Sequence, residues 1–450
     1  MRIDFIRHTP ATDSLILIFA GWSTDPSLYR DVEIQGWDVA VVYDYSDLSI
    51  DLTLLDRYST IWLFAWSLGV RIAAATLPED KITAAYAING TLSPVDDNFG
   101  IPTSIYNGTA DNLTPVNLKK FRRRMASDGA TFRTHLERDF SDEDTESLRH
   151  QLYLIRDLVT PAHQLPWRRA YISDNDKIFP PDNMVRSWNS LGVETRTVSG
   201  AHYIPMQQIV RASLPDMAKV ADRFAKALAT YDDNASAQRI IAEHLSSLLP
   251  ELPFKKHGKI LEIGPGTGLF SRMYAEIIEP DEIDFVDIVD IPQIGIASKE
   301  NYHTADAERW IRKCDRHYDC ILSASTIQWF SNIPDFLSNC RRLLNPGGII
   351  ALSAFLPGNL GELNEHRPSP IHYHDVETYR KWMEKYFTDV KITTGSITLD
   401  FASPRELMLH LRNTGVGGSA PSPRISPASL RSIRAITYRP VYITAFCPAH

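Results

Sequence analysis

The sequence predicts two α/β units in series, each a mostly parallel sheet covered by helices. Three observations carry this expectation. At 450 residues the chain exceeds one ordinary hydrophobic core. Apolar runs alternate with helical patterns in two successive series, one before and one after about residue 217. Each series also contains a strand that passes through an unusual turn into a helix, at Ser67 and at Gly264–Gly268.

The composition sets outer limits. Apolar content of 44% with 23% charged residues is that of a soluble globular protein. A formal net charge of −8 argues against a general nucleic-acid binder. No apolar run is long enough for a membrane span, and MRIDFIRHTP lacks the features of a signal peptide. Cys314, Cys320, Cys340 and Cys447 show no CxxC spacing, so they read as reduced, mostly buried thiols of a cytoplasmic protein with no metal site.

In the first unit, strands are expected at 15–21 (LILIFAG), 38–44, 60–66 (TIWLFAW), 82–90 and 168–174, with another at 193–198. Residues 114–159 read as helical, with Phe121, Met125 and Leu136 on apolar spacings, and they interrupt the strand rhythm where a lid would sit. The second unit starts with helical patterns at KVADRFAKALATY and QRIIAEHLSSLL. Strands follow at 259–264, 282–288, 318–325 and 347–355. The boundary is placed between 216 and 217, where no Gly/Ser linker occurs.

Ser67 lies in Ala65-Trp66-Ser67-Leu68-Gly69, close to the G-x-S-x-G elbow but with alanine in the first position. A serine hydroxyl needs a base to become a nucleophile, and the base needs an orienting acid. His202, in VSGAHYIP after the last expected strand, is the expected base. Asp176, in SDNDKIFP, is the expected acid, with Asp111 and Asp174 as further candidates. The oxyanion donors are expected to be the amide of Leu68 and that of Trp22, in the loop after the first strand.

Glu262-Ile263-Gly264-Pro265-Gly266-Thr267-Gly268 follows a strand and opens a helix. Leu269 stands where a dinucleotide fingerprint requires its third glycine. The E-x-G-x-G-x-G form instead resembles the S-adenosylmethionine pocket of Rossmann-like methyltransferases. On that resemblance Asp287 binds the ribose hydroxyls, and Asp306 with Ala307 forms the adenine contact. His372 and His374 read as a surface loop rather than metal ligands. The Arg122-Arg123-Arg124 run reads as a solvated helix face that could meet an acidic partner.

Residues 1 to about 215 resemble the BioG family of pimeloyl-[acyl-carrier protein] methyl ester esterases, carried by FAGWSTD, AWSLGV, FRRRM, DKIFPPDN and the His202 loop. Residues from about 218 to 450 resemble the BioC family of malonyl-[acyl-carrier protein] O-methyltransferases, carried by ATYDDNASAQ, LEIGPGTG, SASTIQWF, NPGGIIALSAFLPGNLGEL and LRNTGVGG. The resemblance implies an α/β-hydrolase fold followed by a class I methyltransferase fold. It also implies S-adenosyl-L-methionine as cofactor and an acyl-carrier protein with malonyl or pimeloyl methyl ester cargo as partner. Tyr231 would then sit near the donor methyl, with Gln328 and Trp329 in the same pocket, and Arg122, Arg123 and Arg124 would face the carrier. The alternative is a thioesterase, another acyl hydrolase or a non-catalytic carrier-docking module, fused to a small-molecule methyltransferase.

Overall fold

The computed structural model describes residues 1–9, 12–252, 257–364, 371–414 and 432–448. Residues 415–418 of the LRNTGVGG segment therefore lie outside the described residues. The chain divides into two compact units, Met1–Val210 and Arg211–His450.

The first unit is built on seven strands: β1 (Arg2–Arg7), β2 (Ser14–Phe19), β3 (Asp38–Tyr43), β4 (Thr60–Trp66), β5 (Ala84–Ile88), β6 (Trp167–Ser173) and β7 (Glu194–Val198). They order as β1-β3-β2-β4-β5-β6-β7. All pairs are parallel except β1 with β3. Every residue of β2 and β4 is buried, as expected for central strands covered on both faces. Burying side chains such as Ile16, Leu63 and Phe64 contributes about 1.5–3 kcal/mol each. The antiparallel edge strand β1 is absent from the sequence reading because RIDFIR is half polar and only partly buried.

The chain winds outward from β2 to β3, then crosses back to β4. The strand order thus reverses between the neighbours β2 and β4, and the crevice beyond their carboxyl ends is where open α/β sheets bind ligands. A helical cap is inserted between β5 and β6. It starts earlier than the expected 114, with a helix at Thr103–Asp111, and continues through helices at Pro115–Met125 and Asp142–Arg156. TSIYNGTAD is a poor helix former; it is held by burying Tyr106 and Ala110, four residues apart on one face.

The second unit uses β8 (Lys259–Ile263), β9 (Glu282–Asp287), β10 (Lys299–Thr304), β11 (Tyr318–Ser323), β12 (Leu344–Phe355), β13 (Thr388–Thr394), β14 (Ile397–Asp400), β15 (Ala435–Tyr438) and β16 (Pro440–Phe446). Its main sheet runs β10-β9-β8-β11-β12-β16-β13, and β14 pairs with β15 separately. The pairs from β10 to β12 are parallel, while β16 is antiparallel to both neighbours. This is a Rossmann-like α/β fold, with its order reversing between β8 and β11. Side chains alternate between two cores: Ile260, Ile283 and Leu322 face one side, Leu261, Val286 and Ile321 the other. The polar strand β10 (KENYHT) is an edge, which explains why it carries no apolar signal.

Candidate active sites

In the first unit, β4 ends at Trp66 and the helix Gly69–Thr76 starts after two intervening residues, Ser67 and Leu68. Ser67 makes the turn with φ 58°, a left-handed conformation that non-glycine residues rarely hold. Its amide donates to Ile88 O at 2.8 Å, anchoring it to β5. Gly69 is required by close approach, because a Cβ there would lie 2.6 Å from Ala20 O and 2.7 Å from Phe19 O. Ala65 faces no such limit. It sits in register with Phe19 and Ala87, fully buried, and its methyl is accommodated.

The structure brings Ser67, His202 and Asp176 together. Ser67 Oγ lies 2.9 Å from His202 Nε2, and His202 Nδ1 lies 2.7 Å from Asp176 Oδ2. Asp176 Oδ1 accepts the amides of Ile178 at 2.7 Å and Phe179 at 3.0 Å. This arrangement selects the tautomer with hydrogen on Nδ1 and a lone pair on Nε2 toward the serine. All three groups are buried, and the Phe179 ring stacks on the imidazole at 5.9 Å.

Of the other acids, Asp111 accepts from Tyr153 Oη and Asp174 accepts from Gly200 N; both are exposed, and neither bonds His202. The amides of Trp22 and Leu68 have no acceptor among the described residues. Both residues line a solvent-connected pocket that also reaches Ser67 and His202. Its apolar wall comes from the cap, through Ile105, Tyr106, Phe121, Met125 and Leu152.

Asn89 was not singled out by sequence. At the end of β5, with φ 46°, its Nδ2 donates to Ser173 Oγ and His202 O, both at 2.8 Å, and its Oδ1 accepts Ser173 N at 2.7 Å. It ties the histidine loop to the strand that leads into Asp176. Trp66 Nε1 grips the same His202 carbonyl at 3.0 Å.

The arginine run is corrected in part. Arg123 and Arg124 are exposed, but Arg122 is only 5% exposed and donates to Ser23 O, Ser23 Oγ and Leu136 O. It cannot face a carrier. The signal was present in the sequence: Leu118, Arg122 and Met125 fall on one stripe of the Pro115–Met125 helix, and that stripe is the buried one.

In the second unit, the loop after β8 places Gly264, Gly266 and Gly268 at φ 69°, 57° and 81°. A Cβ on Gly264 would overlap the Thr326 side chain, and one on Gly268 would lie 2.9 Å from Ile294. A Cβ on Gly266 would meet nothing within 4 Å. Gly266 thus borders open space while its neighbours are packed. Its amide donates to Asp287 Oδ2 at 3.0 Å, and Val289 N donates to Oδ1 at 3.1 Å, leaving lone pairs on both oxygens for a ligand. Burial holds the Asp287 carboxyl above its usual range against these hydrogen bonds.

Glu262 is buried beneath the loop and accepts Ser271 Oγ and Tyr274 Oη, both at 2.7 Å. Burial pushes its carboxyl up to about 7. Asp306 caps the helix that starts at Ala307, accepting the amides of Glu308 and Arg309. Tyr231 begins a short helix whose next residue, Asp232, accepts Thr267 Oγ1 at 2.6 Å, tying it to the glycine loop. Burial raises the Tyr231 phenol, with Asp232 and Asp287 adding repulsion. Gln328 Nε2 donates to Ser325 O, while its Oε1 is buried without a partner among the described residues. Trp329 packs edge-on against Phe224 at 5.9 Å, in a small cluster with Val220 and Ile371.

His372 and His374 have rings 4.7 Å apart, and His374 rests on Trp382. Among the described residues no group of three or more His, Cys, Asp or Glu could hold a metal ion, and no helix is long and apolar enough to cross a membrane. The four cysteines form no disulfide.

Comparison with known proteins divides the chain in the same way. Residues 1–210 match the family described as pimeloyl-ACP methyl esterase BioG, and residues 234–388 match a methyltransferase domain family. A malonyl-[acyl-carrier protein] O-methyltransferase of Bacteroides fragilis is 31% identical, covering 97% of this chain and 93% of its own. One from Porphyromonas gingivalis is 33% identical over 45% of this chain and 78% of its own. The crystal structure of BioG from Haemophilus influenzae is 33% identical, covering 46% of this chain and 96% of its own with a TM-score of 0.43.

Proposed function

The chain belongs to the malonyl-[acyl-carrier protein] O-methyltransferase family, with a BioG domain at its N-terminal end, and from that premise we propose how its two sites divide the work. The C-terminal unit methylates the free carboxylate of a malonyl group on its carrier. The N-terminal unit, read as an α/β-hydrolase fold, later hydrolyses the methyl ester of the pimeloyl product. We place the functional boundary at 216/217, before the helix Met217–Ala227 whose side of the chain packs on Trp329. The reading is carried by the unbroken Ser67–His202–Asp176 hydrogen-bond chain, in a unit separate from the glycine loop.

The order of the reactions follows from charge. A free carboxylate is costly in the apolar pockets that elongate acyl chains. Methylation removes that charge, and hydrolysis restores it when the chain is long enough. The chain thereby makes a biotin precursor.

For hydrolysis, Ser67 Oγ attacks the ester carbonyl as its proton passes to His202 Nε2. The carbonyl oxygen becomes negative between the amides of Leu68 and Trp22. His202 returns the proton to the departing methoxide, releasing methanol and leaving the acyl group on Ser67. Water then attacks, giving its proton to His202, and the acid leaves as Ser67 recovers its hydrogen. Asp176 holds the imidazole and stabilises its charged form.

For methyl transfer, S-adenosylmethionine supplies a methyl group already activated on a sulfonium. The residues fit such a group. Gly266 leaves room for it, Asp287 has free lone pairs for its ribose hydroxyls, and Gln328 Oε1 is a buried acceptor that a ligand ammonium or hydroxyl can satisfy. Glu262 braces the loop, and Asp306 with Ala307 would border the adenine of the bound donor. Tyr231 and Trp329 close the acceptor side. The acceptor carboxylate is already an anion, so this unit needs to position it rather than deprotonate it.

The test uses purified full-length chain with two readouts: label from the sulfonium donor on malonyl carrier, and methanol from pimeloyl methyl ester carrier. Ser67→Ala should lose the second and keep the first. Methanol release at the wild-type rate in that variant overturns the reading.

A further inference from the structure

We infer that Arg122 is a positioning residue for ester hydrolysis, its guanidinium fixing the Gly21–Thr24 turn so that the Trp22 amide faces the developing oxyanion. The inference rests on the reading of Ser67 as nucleophile and of Trp22 and Leu68 as oxyanion donors.

Arg122 extends from the cap helix Pro115–Met125 into the interior, where it is 5% exposed. It has no ion-pair partner among the described residues, and burial pushes its pKa down to about 10. Its charge is met by neutral oxygens: Leu136 O at 2.8 Å, Ser23 Oγ at 3.3 Å and Ser23 O. Such a cation is poorly placed for attracting a partner and well placed for holding a backbone.

The backbone it holds needs holding. Ser23 has φ 66°, a strained conformation that persists only where its surroundings determine it. Trp22 is tied through its side chain, whose Nε1 donates to Leu148 O at 3.0 Å, and the remaining ties in this turn fall on its ends. Gly21 N donates to Tyr29 Oη at 3.2 Å, and Thr24 reaches Gly21 O through its amide at 3.2 Å and its hydroxyl at 2.6 Å. Among the described residues only Arg122 bonds Ser23. The preceding residue of the same helix, Phe121, packs edge-on against the Trp22 ring at 5.2 Å. One turn of the cap helix therefore grips both Trp22 and Ser23. Without the guanidinium, Ser23 can relax to the right-handed region and rotate the Trp22 amide out of the site.

The experiment uses full-length Arg122→Gln and Arg122→Lys with dimethyl pimelate as the probe, followed by methanol release. Lysine keeps the charge and the stem but not the fork. Both variants should lose about 10- to 100-fold in kcat with KM within about threefold, part of the loss seen on deleting an oxyanion donor outright. A trifluoromethyl ketone, which Ser67 Oγ attacks to leave an alkoxide in the same hole, should lose affinity by the same factor as kcat/KM. Folding is checked by circular dichroism at the assay temperature; if the glutamine variant fails to fold, the lysine variant decides. Folded variants with wild-type kcat, or with reduced kcat and unchanged ketone affinity, overturn the inference. Turnover by Ser67→Ala would instead overturn the underlying reading.

Discussion

His202 Nε2 stands 2.9 Å from Ser67 Oγ across 135 residues of chain. The contact exists because β4 and β5 are paired neighbours, and Asn89 at the end of β5 binds the His202 carbonyl. A strand end, a strained turn and a side-chain amide thus act together to place one nitrogen.

The identity of the acid is open to direct test. Asp176→Asn leaves His202 in the wrong tautomer and should lower kcat for methanol release about 10³- to 10⁴-fold. Asp111→Asn, which loses only a contact with Tyr153, should stay within about twofold of wild type. Equal losses in both variants would remove Asp176 from its role.

Asn89→Ala should reduce stability and turnover together. It deletes the donor to Ser173 Oγ and leaves the buried Ser173 amide without its acceptor, at a cost of about 1–3 kcal/mol. The His202 carbonyl keeps its bond from Trp66, so the loop should loosen rather than detach. A lower melting temperature with about a tenfold loss in kcat is expected, and methyl transfer should not change.

The three loop glycines should separate donor binding from folding. Gly266→Ala meets open space, so it should cost only the strain of a left-handed alanine, about 1–2 kcal/mol, yet weaken donor binding in calorimetry by at least tenfold. Gly264→Ala collides with Thr326 and should destabilise the fold more. Asp287→Ala should also weaken donor binding. Wild-type donor affinity in Gly266→Ala and Asp287→Ala would place the pocket elsewhere.

Glu262 predicts a pH dependence. Its carboxyl is raised from 4.5 to about 7 in the folded chain, so the native state holds the proton more tightly than the unfolded state does. The associated stability is fully present below pH 4.5 and is lost as pH rises through 7, a change of about 3 kcal/mol. Glu262→Gln keeps an acceptor for Ser271 and Tyr274 and does not titrate. The variant should therefore gain in urea midpoint relative to wild type between pH 5 and pH 8. Glu308 is raised in the same range, but it is present in both proteins and cancels in the difference. A difference that does not vary with pH would mean that Glu262 is already ionised throughout.

Much of both sites is legible in the sequence because short-range sterics create them. A serine between a strand and a small residue, or glycines in alternation after a strand, constrain the backbone within a few bonds. The acid was less legible. Asp111, Asp174 and Asp176 all follow the serine in sequence, and only the path of the loop after β6 brings one of them to His202. Arg122 was misread because a run of three arginines looks solvated until its place on the Leu118–Met125 stripe is considered. The helix Thr103–Asp111 was missed because its residues disfavour a helix and packing of Tyr106 and Ala110 overrides that preference.

By itself the sequence determined two α/β units, a strand-to-helix turn at Ser67 in the first and a glycine-rich loop in the second, all features written in local spacing and hydrophobic period. Only the tertiary structure decided which acid meets the histidine, that Asn89 clamps the loop between them, and that Arg122 points inward to the Trp22 turn. Those choices depend on distances between segments far apart in the chain. Such distances are set by strand order and packing, and no local pattern encodes them.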